Sequence, residues 1–390
     1  MIDISVVLTL YGSDGDLSDQ IQAISNQTII PKEIIIINSE KQIDIKSILE
    51  RFKEKLSIKY IFKKNRLFPG EARNLGHLES TFDLIAFLDA KTKPCPDWLE
   101  GSYAILKKNK ADLIFGKTQY RSKNYFQSIL ISSMYGKRPI STIPGMLIYK
   151  KSFNEIGGFI GDVRAGEDLE WKSRAYQDKR IRYTEAPQKN LVYSSLSKNL
   201  FDELLRSARN SWVAAKIDAQ INTRLLIFGL GIIFLMLVIP NWNRYLGVLL
   251  FIPDITKLSL IIVSIVMIIS YLRSAFLFIE LMKRFIFPII FISALVAIFS
   301  PELISKALTT SSTSSGATLY IYFLISIGFI FRAFVAPIRL GSKMKDLMPL
   351  HWISCGLIGF LNDIVKVPGY LLGASFYILR SLRRFIFFKP

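Results

Sequence analysis

The sequence has few of the residues by which catalytic and metal centres are most often recognised. Its 390 residues include only two cysteines and two histidines. Cys95 and Cys355 lie in different halves of the chain, so they cannot form a disulfide framework, and a reducing compartment fits this usage. His77 and His351 have no ligand-like spacing, which predicts structural roles. No P-loop, no Ser-His-Asp order and no cysteine-rich metal pattern is present.

The chain has fewer acidic than basic residues, and its first ten residues contain no basic residue. It has 50 Lys and Arg against 31 Asp and Glu, a net charge of +19. Nucleic acid would suit this charge, but basic groups that flank apolar runs are explained by membrane topology and lipid headgroups, so we expect no nucleic-acid partner. Residues 1–10 have no basic n-region, so no signal peptide is expected and the first domain should lie in the cytosol.

Charged and apolar residues are segregated along the chain, which is 51% hydrophobic. Residues 1–197 mix charge with short apolar runs and predict a soluble domain. Residues 198–222 predict an amphipathic interfacial helix. Long apolar runs predict an α-helical membrane domain over residues 223–345. Residues 346–390 predict an amphipathic, basic region at the inner leaflet, where anionic lipids would be partners.

The membrane domain is expected to cross the bilayer about four times. Several candidate spans are short against the roughly 20 residues that a span needs. The candidates are residues 225–240, 258–279, 285–300 and 318–336. Basic residues follow the second and fourth candidates, so the positive-inside bias places both ends of the chain in the cytoplasm. The expected location is the inner or plasma membrane, with several spans and a cytoplasmic first domain.

Short apolar runs alternate with helical patterns through the first domain. Runs such as residues 4–10, 33–37 and 84–88 are typical of strands buried on both faces. The alternation predicts an α/β domain with a Rossmann-type, mostly parallel sheet. Ligands bind beyond the carboxyl ends of the strands in such sheets, so Asn38 and Asp89, which follow two of these runs, should line one crevice.

Five short motifs occur in the first domain in a fixed order. They are SVVLTLYG at 5–12, NQTIIPKEIIIINSE at 26–40, PGEARNLG at 69–76, FLDAKTKP at 87–94, and IGGF at 156–159 followed by GEDLEW at 166–171. Together they resemble the family 2 glycosyltransferases over nearly all of residues 1–195. The resemblance implies a GT-A fold and a nucleotide-sugar donor. The sugar, the nucleotide and the acceptor stay undetermined.

The resemblance also implies a donor side of the site. Thr9 and Tyr11, at the end of the first strand, are expected to meet the nucleobase. Asn38 and Ser39 stand where the family usually has two acids. Amide and hydroxyl groups can still hydrogen-bond a base edge. Arg73, at a loop-to-helix junction, is expected to reach a phosphate or the nucleobase.

Asp89 and Lys91 govern the expected metal requirement. FLDAKTKP occupies the place of the family's Asp-x-Asp motif, so Asp89 is expected to hold the donor ribose and any metal. Lys91 replaces the second aspartate, and its ammonium could neutralise the leaving pyrophosphate directly. Mg²⁺ or Mn²⁺ could also bind through Asp89, phosphate oxygens and water. A plain surface lysine is the third interpretation.

GEDLEW supplies the expected catalytic base. The acceptor hydroxyl must lose its proton, so a carboxylate must lie within hydrogen-bond reach. Asp168 is the expected base, with Glu167 supporting it, and Glu170 ranks lower because it faces elsewhere on the helix. Helix capping by first-turn carboxylates is the alternative interpretation. A single base without a nucleophile is consistent with inversion at the anomeric carbon.

These features predict a membrane-anchored inverting glycosyltransferase that acts on a lipid-linked or glycan acceptor in cell-surface polysaccharide or glycolipid synthesis. A processive polysaccharide synthase is one alternative. It is disfavoured because the family's Gln-x-x-Arg-Trp string is here RSARNSW, residues 206–212. A non-catalytic nucleotide-sugar-binding scaffold is the other. Lys91, Asn38 and Ser39 motivate it, and the retained GEDLEW argues against it.

Overall fold

The computed structural model describes residues 2–10, 17–39, 45–193, 195–215, 217, 326 and 328–387. The chain divides into two compact units. One is Met1–Ala219 with Arg332–Val365, and the other is Gln220–Phe331 with Lys366–Pro390. The predicted spans 225–240, 258–279 and 285–300 lie outside the described residues, as does most of 318–336.

The first unit is built from alternating strands and helices. Its strands are β1 (Ile4–Thr9), β2 (Glu33–Ser39), β3 (Ile58–Lys63), β4 (Leu84–Asp89), β5 (Thr92–Pro94), β6 (Leu113–Tyr120), β7 (Ile140–Tyr149), β8 (Tyr183–Glu185) and β9 (Leu191–Tyr193). Its helices are α1 (Leu17–Ser25), α2 (Lys46–Phe52), α3 (Pro69–Glu79), α4 (Trp98–Lys108), α5 (Tyr125–Leu130), α6 (Lys150–Ile156), α7 (Glu167–Gln177) and α8 (Leu200–Ala214), with a π-helical turn at Ile131–Tyr135 after α5. This order confirms the predicted α/β architecture.

One edge of the sheet collects the carboxyl ends of the mutually parallel strands. The strand order is β3-β2-β1-β4-β7-β6-β9-β5, with β8 beside β6. Strands β1 to β4 are parallel, and β7 is antiparallel to both β4 and β6, so β6 points the same way as β4. Strand β9 is parallel to β6. The carboxyl ends of β1, β2, β4, β6 and β9 therefore meet at one edge, where the last residues are Thr9, Ser39, Asp89, Tyr120 and Tyr193.

The sheet is buried on both faces. Alternate residues of one strand point to opposite faces, so Val6 packs in the cluster that contains α1 and α4, and Val7 packs in the cluster that contains α6 and α7. Trp98 and Trp171 are the largest fully buried side chains of these two layers. This two-sided burial explains why the central strands are continuous apolar runs instead of alternating ones.

Helix α8 has polar and apolar faces that are reversed relative to a helix of a soluble domain. Its buried positions are Glu203, Ser207 and Ser211. By contrast, Phe201, Leu205 and Trp212 are 69%, 53% and 54% exposed. A helix on a soluble protein turns its apolar stripe to the core, whereas one at a membrane surface turns it to the lipid. The interfacial role of residues 198–222 stays a prediction.

The described residues after 330 are helical for most of their length. A π-helical turn at Phe331–Val335 leads into α9 (Ala336–Arg339), α10 (Met344–Leu347) and α11 (His351–Phe387). In this part of the chain, His351–Tyr377 is long and apolar enough to cross a membrane by length and composition. From the sequence we expect an amphipathic region over 346–390; the structure forms one 37-residue helix there. The four-span topology stays a prediction.

Helix α3 lies close against β1 because Gly76 has no side chain. A Cβ atom at this position would lie 2.1 Å from Cγ1 of Val7. The matched case is Gly101 of α4, where a Cβ atom would meet nothing within 4 Å. Gly76, the second glycine of PGEARNLG, therefore allows the helix that carries Arg73 to pack closely on the sheet.

We expect Gly76→Ala to lower the free energy of unfolding by about 1–3 kcal/mol, because the added methyl group overpacks the contact with Val7. Gly101→Ala is the control, and it should raise stability by up to about 1 kcal/mol, since alanine is the better helix former. Unfolding of the purified full chain, followed by circular dichroism, measures both. Similar effects of the two substitutions would contradict the close α3–β1 contact.

Candidate functional site

Asp89 lies at the centre of the edge at which the strands end. Thr9 Oγ1 donates to Asp89 Oδ1 at 3.2 Å. Arg73 Nη2 lies 3.1 and 3.3 Å from the two carboxylate oxygens of Asp89. The Asp89 side chain is 33% exposed, so a ligand can still reach it. The predicted donor residues Thr9, Arg73 and Asp89 are thus brought together.

Arg73 links Asp89 to the acidic pair at the start of α7. Its side chain is 4% exposed, and its Nη1 donates to Glu167 Oε1 at 2.9 Å. The guanidinium carbon lies 5.3 Å from the ring centroid of Phe159. Burial lowers the pKa of Arg73, but the nearby carboxylates of Asp89, Glu167 and Asp168 raise it by more in total, so the guanidinium stays charged. Only its Nε–H has no partner among the described residues.

The two acids of GEDLEW have different surroundings. Glu167 is 5% exposed, and burial raises its pKa, an effect that Arg73 opposes and Asp168 increases. Asp168 is partly exposed, and its Oδ1 accepts the backbone N–H of Leu169 at 2.8 Å. Within the described ranges no side chain forms a hydrogen bond with Asp168. Glu167 is therefore fixed by Arg73, and Asp168 keeps an oxygen available for an acceptor.

Gly166 lets α7 begin at this point. It precedes Glu167 with a φ of +93°, and a Cβ atom there would lie 2.6 Å from Cδ1 of Ile217. This left-handed conformation favours glycine. Glu167 and Asp168 then occupy the first turn of α7, where the helix dipole favours negative charge. Both the turn and the dipole stabilise the pair that the sequence predicts as catalytic.

Glu170 and Asn74 have structural partners. Glu170 forms an ion pair with Arg174 on the next turn of α7, with an N–O distance of 2.6 Å. Arg174 also donates to the carbonyls of Ile156 and Gly158, at 2.7 Å each. Asn74 exchanges two hydrogen bonds with the backbone of Phe159, each 2.8 Å long. These contacts join the IGGF and PGEARNLG segments to α7 and keep Glu170 away from Asp89.

Asn38 and Ser39 are buried at the end of β2, at 1% and 2% exposure. Asn38 Nδ2 donates to the hydroxyl of Tyr60 at 3.0 Å. Ser39 Oγ accepts the backbone N–H of Leu67 at 3.1 Å. Asn38 therefore holds β3, and Ser39 holds the loop before α3. Tyr11 lies outside the described residues, so its predicted contact with the nucleobase is untested.

Lys91 occupies the turn between β4 and β5 and is exposed. Within the described ranges, no hydrogen bond or ion pair involves its ammonium group. The same ranges contain no group of three or more His, Cys, Asp or Glu side chains that could hold a metal ion. Asp89 is one carboxylate, and Arg73 already contacts both its oxygens. The described part of the chain therefore offers one partly used ligand for a divalent cation at this site.

Three tyrosines near these acids are not singled out by the motifs. The Tyr120 ring centroid lies 4.8 Å from that of Tyr135 and 5.4 Å from that of Tyr193. Burial raises the pKa of Tyr193 to about 12, with Tyr120 and Asp89 adding to the shift. Tyr120 ends the strand LIFGKTQY, so the strand-end rule that predicts Asp89 would also have found this tyrosine.

Comparisons with known proteins identify relatives of the first domain. Residues 5–167 match the family model described as Glycosyl transferase family 2. The glycosyltransferase AglE of Haloferax volcanii is 22% identical over 185 residues, which cover 44% of this chain and 60% of that protein. The hyaluronan synthase of Pasteurella multocida is 29% identical over 121 residues, which cover 30% of this chain and 12% of that protein. The chain thus spans less than two thirds of these relatives.

A solved structure with a low overall similarity is the crystal structure of S. aureus TarS 1–349 in complex with UDP-GlcNAc. Its TM-score to this chain is 0.40 and the sequence identity is 12%, over 97% of this chain and 92% of that chain.

We expect Arg73→Gln to lower the free energy of unfolding by about 3–5 kcal/mol at neutral pH, because it leaves the buried Glu167 carboxylate without its cation. The pKa of Glu167, already above its ordinary value of 4.5, should rise further. A carboxyl with a raised folded-state pKa contributes stability below its unfolded pKa and loses it as the pH rises through the folded pKa. The penalty should therefore shrink as the pH falls towards 4.5.

The measurement is denaturant unfolding of the full chain at about pH 8 and about pH 5. The double variant Arg73→Gln/Glu167→Gln should recover part of the loss, because it removes the unpaired charge. Arg51→Gln, an exposed arginine of α2, is the control and should be close to neutral. A penalty that is the same at both pH values would show that Arg73 does not stabilise the ionised form of Glu167.

Proposed function

Because residues 5–167 form a glycosyl transferase family 2 domain in a GT-A-like fold, we propose that this chain transfers a sugar from a nucleotide-sugar donor to an acceptor hydroxyl with inversion. The observation that carries the proposal is the continuous contact Thr9–Asp89–Arg73–Glu167, with Asp168 next to it, at the carboxyl edge of the sheet. Arg73 joins the donor-side carboxylate of Asp89, 16 residues away in the sequence, to the acceptor-side pair at Glu167, 94 residues away.

Asp168 is the general base of the proposed reaction. Its available carboxylate oxygen accepts the proton of the acceptor hydroxyl. The acceptor oxygen then forms a bond to the anomeric carbon, while the bond from that carbon to the donor phosphate oxygen breaks. The nucleoside diphosphate leaves with the electron pair. Glu167 acts as a positioning residue, because its bond to Arg73 fixes the first turn of α7.

Lys91 supplies the positive charge for the leaving diphosphate. Its ammonium lies two residues after Asp89 on an exposed turn and has no hydrogen-bond or ion-pair partner among the described residues. Family 2 enzymes commonly use a divalent cation, which neutralises the diphosphate when bound. Asp89 would be its protein ligand here, with phosphate oxygens and water completing the coordination. Position 91, where the family usually has the second carboxylate, is a lysine in this chain.

The membrane is the proposed site of action. Helix α8 exposes apolar side chains, and His351–Tyr377 has the length and composition of a span. Both features support a catalytic domain held at the cytoplasmic face of the inner or plasma membrane. There it would meet a lipid-linked or glycan acceptor of cell-surface polysaccharide or glycolipid synthesis, and anionic lipids would contact the basic C-terminal region.

We expect Asp168→Asn to lower kcat by about 10²–10⁴-fold with little change in KM for the donor, because it removes the base but no donor contact. Release of nucleoside diphosphate by the detergent-purified full chain is the assay, with a panel of nucleotide-sugars and a lipid extract as acceptor. Asp97→Asn, an exposed aspartate before α4, is the control and should retain full activity. Full activity of the Asp168→Asn variant would show that another group is the base.

We expect activity to survive EDTA and to fall by roughly tenfold or more in Lys91→Ala, since losing one charge-assisted contact to phosphate costs about 1.5–3 kcal/mol. The same assay, run with Mn²⁺, with Mg²⁺ and with EDTA, measures both effects. Lys93→Ala, an exposed lysine of β5, is the matched control. Activity that is abolished by EDTA and insensitive to Lys91→Ala would assign the charge to a metal ion instead.

Two outcomes of these assays would favour the alternatives. Nucleotide binding without turnover of any donor would favour a non-catalytic scaffold, which Lys91, Asn38 and Ser39 motivate. A long homopolymer made from one nucleotide-sugar would favour a processive synthase; one matching relative, from Pasteurella multocida, is named hyaluronan synthase. We propose transfer of single sugars, because residues 206–212 of α8 lack the string that marks processive relatives.

A further inference from the structure

Helix α1 holds both ends of the segment that follows β4. Gln20 Nε2 donates to the backbone carbonyl of Ala90 at 2.9 Å, and Gln27 Nε2 donates to that of Cys95 at 2.7 Å. Both glutamines are buried, at 4% and 5% exposure. The residues between the two anchored carbonyls include Lys91 and strand β5. The segment that carries the proposed positive charge for the diphosphate is therefore fixed to a neighbouring helix.

The turn between β4 and β5 combines a firmly held backbone with an exposed lysine. Besides the bond from Gln20, the Ala90 N–H donates to the carbonyl of Thr9 at 3.1 Å, and Thr92 Oγ1 donates to the carbonyl of Asp89 at 2.8 Å. Ala90 and Thr92 are 6% and 3% exposed, whereas the lysine between them is exposed. The backbone that carries this lysine is thus held by three hydrogen bonds, of which the one from Gln20 is made by a helix.

Gln20 occupies a position of α1 that is otherwise apolar. The buried residues of this helix include Leu17, Ile21 and Ile24, and Gln20 lies among them on the same face. A helix of a soluble domain turns an apolar stripe to the core, so an amide is unexpected at this position. None of the sequence motifs contains this glutamine. Its position in the core therefore needs a reason other than packing.

The amide of Gln20 has a cost to stability. Its Oε1 is buried and has no hydrogen-bond partner among the described residues. The opposite orientation of the amide would place two oxygens against each other at the Ala90 carbonyl, so the Nε2 group must face that carbonyl. A buried acceptor without a partner costs more stability than one ordinary hydrogen bond contributes. An unbranched apolar side chain such as methionine would fill the position without this cost, so the role of the amide lies in its bond to the turn.

We propose that Gln20 is a positioning residue, which fixes the turn after β4 so that the Lys91 ammonium meets the donor diphosphate. A lysine is a point charge on a flexible four-carbon stem, and its attraction to a phosphate group falls with distance. A fixed backbone at Ala90 limits the positions that the ammonium samples, so less conformational entropy is lost when the donor binds. The inference rests on the proposed function and adds the residue on which its cationic group depends.

A double-mutant cycle on diphosphate binding tests this role. The detergent-purified full chain is titrated calorimetrically with UDP, GDP, ADP, CDP and dTDP in the presence of EDTA, so that the affinity reports the charges of the protein itself. We expect Gln20→Met to weaken binding by about three- to tenfold, the equivalent of one hydrogen bond of ordinary strength. Lys91→Ala should weaken it by about tenfold or more. The double variant Gln20→Met/Lys91→Ala should bind as Lys91→Ala does, because Gln20 acts through the lysine.

Gln22→Met is the matched control. Gln22 lies on the same helix, and its amide donates to Ser25 and Asn26 and accepts from Arg51. Diphosphate binding by this variant should equal that of the unchanged protein. Thermal unfolding of the same samples separates positioning from folding. Gln20→Met loses one hydrogen bond but also removes the unpartnered Oε1, so its unfolding midpoint should stay close to that of the unchanged protein.

Four results would overturn the inference. They are an affinity that Gln20→Met leaves unchanged, an equal loss on Gln20→Met whether Lys91 is present or replaced by alanine, a loss that accompanies a large fall of the unfolding midpoint, and no diphosphate binding in EDTA. In each case the proposed function stands if the unchanged protein turns over a donor and Asp168→Asn does not. If no donor turns over, the proposed function fails, even where the cycle gives the expected coupling between Gln20 and Lys91.

Discussion

The buried guanidinium of Arg73 is the interaction on which the candidate site depends. Asp89 ends β4 and Glu167 begins α7. Both carboxylates contact the same guanidinium, and without that cation their negative charges would repel each other. Arg73 reaches both from α3, at 2.9 and 3.1 Å. A buried ion pair is weak evidence for stability in itself, because desolvation opposes the Coulomb attraction. Here it fixes the relative positions of three elements that carry the proposed donor and acceptor groups.

Close backbone packing supports this cation. Gly76 allows α3 to approach β1, and the two hydrogen bonds of Asn74 hold the segment at Phe159, over whose ring the Arg73 guanidinium lies. Gly166 begins α7 in a left-handed conformation. The small and amide residues of the short motifs therefore mainly serve packing, and four of their charged residues form the candidate site, namely Arg73, Asp89, Glu167 and Asp168. This division explains why the motifs are compact while the site is assembled from distant segments.

Helix α8 has the polarity that the proposed membrane location requires. Its polar face is turned inward, so Glu203 and Arg206 lie beside the tyrosine cluster, and its apolar face is exposed. The same helix therefore meets two requirements of the proposed reaction, which are a hydrated, charged reaction centre and an acceptor that comes from a bilayer. A helix with the ordinary polarity would satisfy neither, because its charged groups would point away from the site.

The sequence by itself determined the strands, the edge at which they end, and the acids Asp89, Glu167 and Asp168. These follow from continuous apolar runs and from local spacing, both of which depend on neighbouring residues only. The tertiary structure decided the partners. Arg73 and Glu167 are 94 residues apart, Asn38 is buried against Tyr60, and Tyr120 meets Tyr135 and Tyr193 only where three segments converge. No local pattern encodes which distant side chains share a buried charge, because that depends on how the layers pack.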